Sequence, residues 1–149
     1  TNPIVSKAGV YPYNYITQPQ ASSLCQGMYS SSNFESDLIN SYAWDTAIVF
    51  IQTFSGDTDY SKQGRLQSSR TTTGNAHDSN NNYDVRCNVY DMAGNVKEWS
   101  TETRADRYYP CVNRGGYYYD STGYYTAARY INSTSYNDTS FGFRSTLYL

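Results

Sequence analysis

Tyr90-Asp91-Met92-Ala93-Gly94-Asn95-Val96-Lys97-Glu98-Trp99 is the stretch on which the fold turns. Two shorter ones follow it in order, Arg114-Gly115-Gly116 and Gly142-Phe143-Arg144. Glycine permits backbone turns that a side chain would block. Trp99 is a large core anchor whose N–H needs a partner. Arg114 and Arg144 suit strand ties made by paired hydrogen bonds. These are structural roles. Between the second and third stretches runs YYYDSTGYYTAARYINSTSYNDTSF, residues 117–141. Scaffold punctuation around side chains typical of a binding surface suggests a fixed frame that presents a recognition patch.

Working outward, 149 residues fit one domain, residues 1–149, with a real core. A formal net charge of −2 and the lack of any basic run argue against nucleic acid or an anionic membrane as partner. The longest apolar run, Ala47 to Ile51, is too short to span a bilayer, so direct membrane insertion is not expected. Thr1 is not an initiator Met, which points to a processing or cloning boundary, so the missing leader says little about compartment. The chain holds 18 Tyr against 5 Phe and 2 Trp. A core built for stability alone would use more aliphatics and Phe, because a buried Tyr hydroxyl must be satisfied. Tyr mixed with Ser, Gly and Asn is the composition of antibody-type paratopes. The plainer alternative is that Tyr is a good strand residue.

Residues 1–16 read as an entry segment with a short strand. Thr17-Gln18-Pro19-Gln20 has capping-box form, and Ala21, Leu24, Cys25 and Met28 repeat at helical spacing, predicting a helix from Gln18 to Tyr29. A second helix is expected from Asp37 to Gln52, with Leu38, Tyr42, Ile48 and Ile51 on its buried side and Trp44 and Ala47 alongside. Residues 55–86 lack periodicity and read as a long surface loop. Short strands and turns follow from Asn88, with Val89, Val96 and Trp99 as core candidates. Tyr117 to Tyr119, Tyr124 to Tyr130 and Phe141 to Leu149 are strand-like. The order is an α+β pattern of two helices plus short antiparallel strands and long loops.

Chemistry is hard to assemble from this chain. One His, His77 in a polar loop, and three Cys without a C-x-x-C argue against a zinc site. No G-x-S-x-G elbow or phosphate-binding glycine loop occurs. Cys25 is expected as a buried thiol, and Cys87 with Cys111 as a disulfide.

Gly94-Asn95-Val96-x-Glu98-Trp99, Arg114-Gly115-Gly116, Ala127-Ala128-Arg129 and Gly142-Phe143-Arg144, in this order, resemble the formylglycine-generating enzyme (sulfatase-modifying factor) family over about residues 12–149. The resemblance implies a C-type lectin-like fold. Its enzymes bind copper through two cysteines ahead of the A-A-R motif, but the matching positions here are Ser121 and Thr126, which offer no soft thiolate. Iron-dependent relatives need several His ligands, and this chain has one. Neither copper nor iron is therefore expected, and the chain is read as no enzyme. The loop around the G-N-x-x-E-W motif binds Ca²⁺ in that family. Carried over by position, a structural Ca²⁺ would take Asp91, Gly94, Val96 and Glu98. The alternative is that Asp91 and Glu98 bond loop N–H groups.

The same fold occurs in variable proteins of diversity-generating retroelements, whose C-terminal segment is rewritten by adenine-targeted mutagenesis, and the chain resembles these. An AAY Asn codon mutated at its adenines becomes Tyr, Ser, Thr, Asp or Gly and never a stop, and residues 117–138 are rich in such residues. The resemblance implies a receptor or adhesin, extracellular, on a cell surface or virion, gripping a protein or glycan ligand. The expected contacts are Tyr108, Tyr109, Tyr117, Tyr119, Asp120, Thr122, Tyr124, Tyr130, Asn132, Ser135, Tyr136, Asn137 and Asp138. The alternatives are an enzyme of the same family using other residues, and a structural surface or virion module.

Overall fold

Secondary structure begins at a capping box. In this computed structural model, which describes residues 4, 5, 7–29, 33–64, 70–74, 83–119 and 124–148, the Thr17 side chain accepts from the Gln20 N–H while the Gln20 side chain accepts from the Thr17 N–H. Helix α1 (Gln18–Gln26) starts there and stops at Gly27, three residues short of Tyr29. Its Ala21 and Cys25 are buried, while Leu24 is on the surface.

Strand β1 (Glu35–Leu38) comes next, then helix α2 (Ser41–Phe54). The second helix thus begins four residues later than expected. Residues 35–38 pair antiparallel with β8 (Ser145–Tyr148), Leu38 opposite Ser145. Asn40 then caps α2, its side chain accepting from the Ala43 N–H. Leu38 is buried, but from the strand. Tyr42, expected on the buried side, is 88% exposed, while Trp44, Ile48 and Ile51 face inward.

The expected long loop contains a 3₁₀ turn (Tyr60–Lys62), and its end forms β2 (Val85–Arg86). His77 lies outside the described residues. β2 pairs with β3 (Val89–Tyr90) through a two-residue turn, Cys87 and Asn88, both at positive φ. That is a type I′ hairpin, the geometry that matches strand twist.

The main sheet has the order β6-β5-β4-β7: β6 (Arg129–Asn132), β5 (Cys111–Arg114), β4 (Lys97–Thr103) and β7 (Phe141–Phe143). β7 runs parallel to β4, the other pairs antiparallel. The expected strands at 117–119 and 124–128 are turns, and among the described residues of 4–16 no strand forms.

Two clusters make the core. One joins Ile16, Ala21, Cys25, Leu38, Trp99, Cys111 and Phe141, and the other Ile39, Trp44, Ile48, Ile51, Tyr60, Met92 and Ala93. Both indoles are satisfied at long range. Trp99 Nε1 donates to the Ile16 carbonyl at 2.8 Å and Trp44 Nε1 to the Thr126 carbonyl at 2.9 Å. All three cysteines are free thiols, which corrects the expected disulfide. Cys87 sits at a hairpin tip, whereas Cys111 is walled into the first cluster. Burial, then the charge of Asp37, pushes the Cys25 thiol up to about 12, so it acts as an inert core residue.

Candidate ligand-binding site

The site begins at the first residue of β4. Lys97 pairs with Phe141 across the parallel β4–β7 contact, and its backbone N–H donates to the Ser140 carbonyl at 2.8 Å. Its side chain runs under a group of rings and is buried. The ammonium lies 4.1 Å from the Tyr117 ring centre, 4.2 Å from Tyr124, 5.2 Å from Phe141 and 5.6 Å from Tyr130. A cation held against ring faces and sheltered from water gains on the order of 2 kcal/mol. The rings also stack on one another. Tyr117 and Tyr124 meet edge to face at 5.1 Å, and Tyr124 and Tyr130 lie tilted on each other at 4.3 Å.

Over this floor lies an open depression of about 640 Å³. Among the expected contacts, Tyr117, Tyr119, Tyr124, Tyr130, Asn132, Tyr136 and Asp138 line it. Tyr108 and Tyr109 do not. They are exposed on the β4–β5 turn, their N–H groups donating to Asp106 Oδ1, while Arg104 of the same turn reaches the rim. Ser135 and Asn137 are exposed on the loop after β6, outside the lining. Asp120 and Thr122 lie outside the described residues.

Sequence reasoning missed Lys97, Arg104, Tyr118 and Thr139, which also line the depression. Lys97 stands inside the frame motif itself, where nothing local marks its side chain as reaching the tyrosines. The Tyr118 hydroxyl meets the Thr139 hydroxyl at 2.8 Å and so links the two loops that form the walls. Arg129 lines the site too, but its guanidinium is tied back to Asp45 at 2.7 Å and to both Glu102 oxygens at 3.1 Å. Arg129 thereby braces β6 against α2.

The backbone of the Tyr-rich segment is fixed from below. Tyr118 N–H donates to the Asn95 carbonyl, Thr126 N–H to Gln63 and Ala127 N–H to Ser61. Gly115, at φ +81°, and Gly116 let the chain pass close over the frame. A Cβ on Gly115 would sit 2.7 Å from the Met92 carbonyl oxygen, and one on Gly116 would run into that of Ala93. Asp138 organises the other wall. Its carboxylate accepts from the Ser140 N–H and hydroxyl at 2.9 and 2.7 Å, and the Ser140 N–H first among these groups holds it below the usual carboxylate range.

All 18 tyrosines fall among the described residues, and Tyr60 alone is buried. Burial and the neighbouring Asp84 push its phenol far above the usual range, and its hydroxyl donates to Asp84 at 2.8 Å.

The four expected Ca²⁺ positions lie in a buried stretch, but their carboxylates are engaged. Asp91 accepts from the Gly74 N–H at 3.1 Å and from the Asn95 amide at 3.1 Å. Glu98 takes two N–H donors from Arg144, one of them at 2.5 Å. Burial disfavours the Arg144 charge, yet Glu98 more than offsets this and raises the Arg144 pKa. Among the described residues no three His, Cys, Asp or Glu side chains converge on a metal position. A divalent cation beside a guanidinium also meets direct repulsion. In this arrangement both carboxylates are already taken by protein donors.

A family model described as the sulfatase-modifying factor enzyme 1-like domain matches residues 21–147. Among solved structures, the chain is similar to Treponema denticola variable protein 1, at 16% identity over 97% of this chain and 74% of that one, with a TM-score of 0.63. It is similar also to CarF, at 16% identity over 93% of this chain and 67% of that one, with a TM-score of 0.65. No curated protein matches it in sequence. At such identity the two structures speak for the fold, which is the C-type lectin-like fold of the formylglycine-generating enzyme type.

Proposed function

The chain belongs to the sulfatase-modifying factor enzyme 1-like family, and from that premise we propose that it is a non-catalytic ligand-binding module. Its Tyr-rich C-terminal segment is the contact surface, diversified as in retroelement variable proteins, and it serves as a receptor or adhesin on a cell surface or virion. One observation carries this reading. Tyr117, Tyr119, Tyr124, Tyr130 and Tyr136 gather on one depression, while main-chain bonds from the neighbouring Tyr118, Thr126 and Ala127 hold the segment that carries them. Aromatic anchors on a preformed surface are what strong interfaces use, a few of them contributing roughly 2 kcal/mol or more each. The ligand is a protein or glycan of another cell or virus.

The non-catalytic part rests on the replaced copper positions. Thr126 stands where the resemblance puts a copper cysteine, and its hydroxyl donates to the Gln63 carbonyl at 2.8 Å. Ser121 lies outside the described residues.

Two measurements test the reading. The DNA around the gene should hold a reverse transcriptase and a near-copy of the segment encoding residues 117–138, with adenines at the varying codons. Its lack removes the retroelement claim and leaves the binding module. Arrays of surface glycans and proteins probed with the wild type and a Tyr117→Ser/Tyr124→Ser variant should show binding that the variant loses. Stoichiometric copper or iron in the purified protein would instead favour the enzyme reading.

A further inference from the structure

Helix α2 is apolar on two sides, and the fold accounts for one. Trp44, Ile48 and Ile51 enter the core. The opposite arc presents Tyr42, Thr46, Val49, Phe50, Thr53 and Phe54, all exposed. The outer arc of a surface helix is normally polar and charged. Here none of these six positions is charged, and Asp45, on the flank, is the helix's single charged residue. Tyr42 is 88% exposed, Phe54 70% and Val49 62%. Phe50 and Phe54 already stack at 5.0 Å, so the patch is continuous.

Tyr42, Thr46, Val49 and Thr53 are spaced by four, three and four residues, the seam spacing of paired helices. We propose that this face is a self-association surface, covered by the α2 of a second copy about a two-fold axis. The area fits that occupant. Taking roughly 200 Å² per aromatic side chain, the patch offers about 500 Å² on one copy, so a symmetric pair removes about 1,000 Å², the lower limit of a specific interface. A two-fold contact sets the same patch against itself, and an uncharged patch does so without like-charge repulsion. A lipid surface is a poorer occupant, because the helix carries no Lys or Arg to meet headgroups. This surface stands apart from the tyrosine depression, and the proposal does not depend on what that depression binds.

Sedimentation equilibrium of the whole chain from ~1 to ~500 μM decides it, the upper range being where small interfaces associate. The expected result is a mass rising from 16.9 kDa toward twice that value. Val49→Lys/Phe54→Lys should weaken the dimer at least ~10-fold, since it sets like charges face to face, with far-UV circular dichroism unchanged. Should that variant misfold, Tyr42→Glu replaces it, because an acid is welcome in a first helical turn. Tyr119→Ser/Tyr124→Ser should leave the dimer intact, which separates this surface from the proposed ligand site. A wild type that stays monomeric throughout overturns the proposal, whether or not it pellets with phosphatidylcholine vesicles. A dimer that survives the α2 variants, or one dispersed by the tyrosine variants, overturns it too.

Discussion

The frame around β4 and β5 and the segment from Tyr117 to Ser140 are held by different means. In the frame, side chains make the long-range connections. Trp99 reaches Ile16, Trp44 reaches Thr126, and Arg144 reaches Glu98 and the Tyr90 carbonyl. In the segment, main-chain groups make the anchors, Tyr118 to Asn95 and Thr126 and Ala127 to the 3₁₀ turn and its cap, while Tyr119, Tyr125 and Tyr136 are exposed and the other rings are half-buried. A backbone hydrogen bond survives a change of side chain. The segment can therefore change its chemistry while keeping its path, and the frame cannot.

The sharpest way to break this contrast is Arg144→Met. It leaves Glu98, 5% exposed, without its counter-charge, and an uncompensated buried charge costs about 3–5 kcal/mol. Urea unfolding should show a loss of that size, and a loss under 1 kcal/mol would mean the frame is not tied through this pair. Gly115→Ala follows. Both the positive φ and the nearby Met92 carbonyl oppose a side chain, so about 2 kcal/mol should be lost.

Acid probes the wall loop. Asp138 has a folded pKa below its ordinary 3.8, chiefly through the Ser140 N–H. Its contribution is complete above that value and fades as pH falls through the lower, folded one. Asp138→Asn should therefore destabilise at pH 7 by about 1 kcal/mol, and the gap from wild type should shrink below about pH 4. Thermal unfolding across pH 2–7 reads this directly.

Smaller still is Tyr119→Ser. That ring is 73% exposed, so stability should move by no more than about 0.5 kcal/mol, even if binding disappears. A large loss would show that the tyrosines carry the fold. Smallest is the response to calcium: with Asp91 and Glu98 engaged by protein donors, millimolar Ca²⁺ or EDTA should leave the melting temperature unchanged, and a clear rise with Ca²⁺ would establish the structural ion.

The frame was legible because its signals are local or positional. The capping box at Thr17–Gln20 and the order of the glycine, Trp and Arg motifs were readable as they stand. The start of α2 was not, because β1 depends on a partner more than a hundred residues away. Asn40 was a readable cap, but Leu38 and Tyr42 at helical spacing pointed elsewhere. The Cys87-Asn88 turn was hidden because neither residue is Gly, the usual sign of positive φ. The tyrosines were visible through composition, whereas Lys97 was not, since its place beneath them exists only once β7 lies beside β4.

That pairing has a consequence for synthesis. β4 and β1 each wait for a strand made after the Tyr-rich segment, β7 and β8 respectively. Contacts so distant in sequence form late. A ribosome product that shifts frame or stops early within residues 117–140 lacks the strands that close both sheets, and stays open to proteases. The architecture thus makes closure of both sheets depend on the Tyr-rich stretch having been translated through to its end.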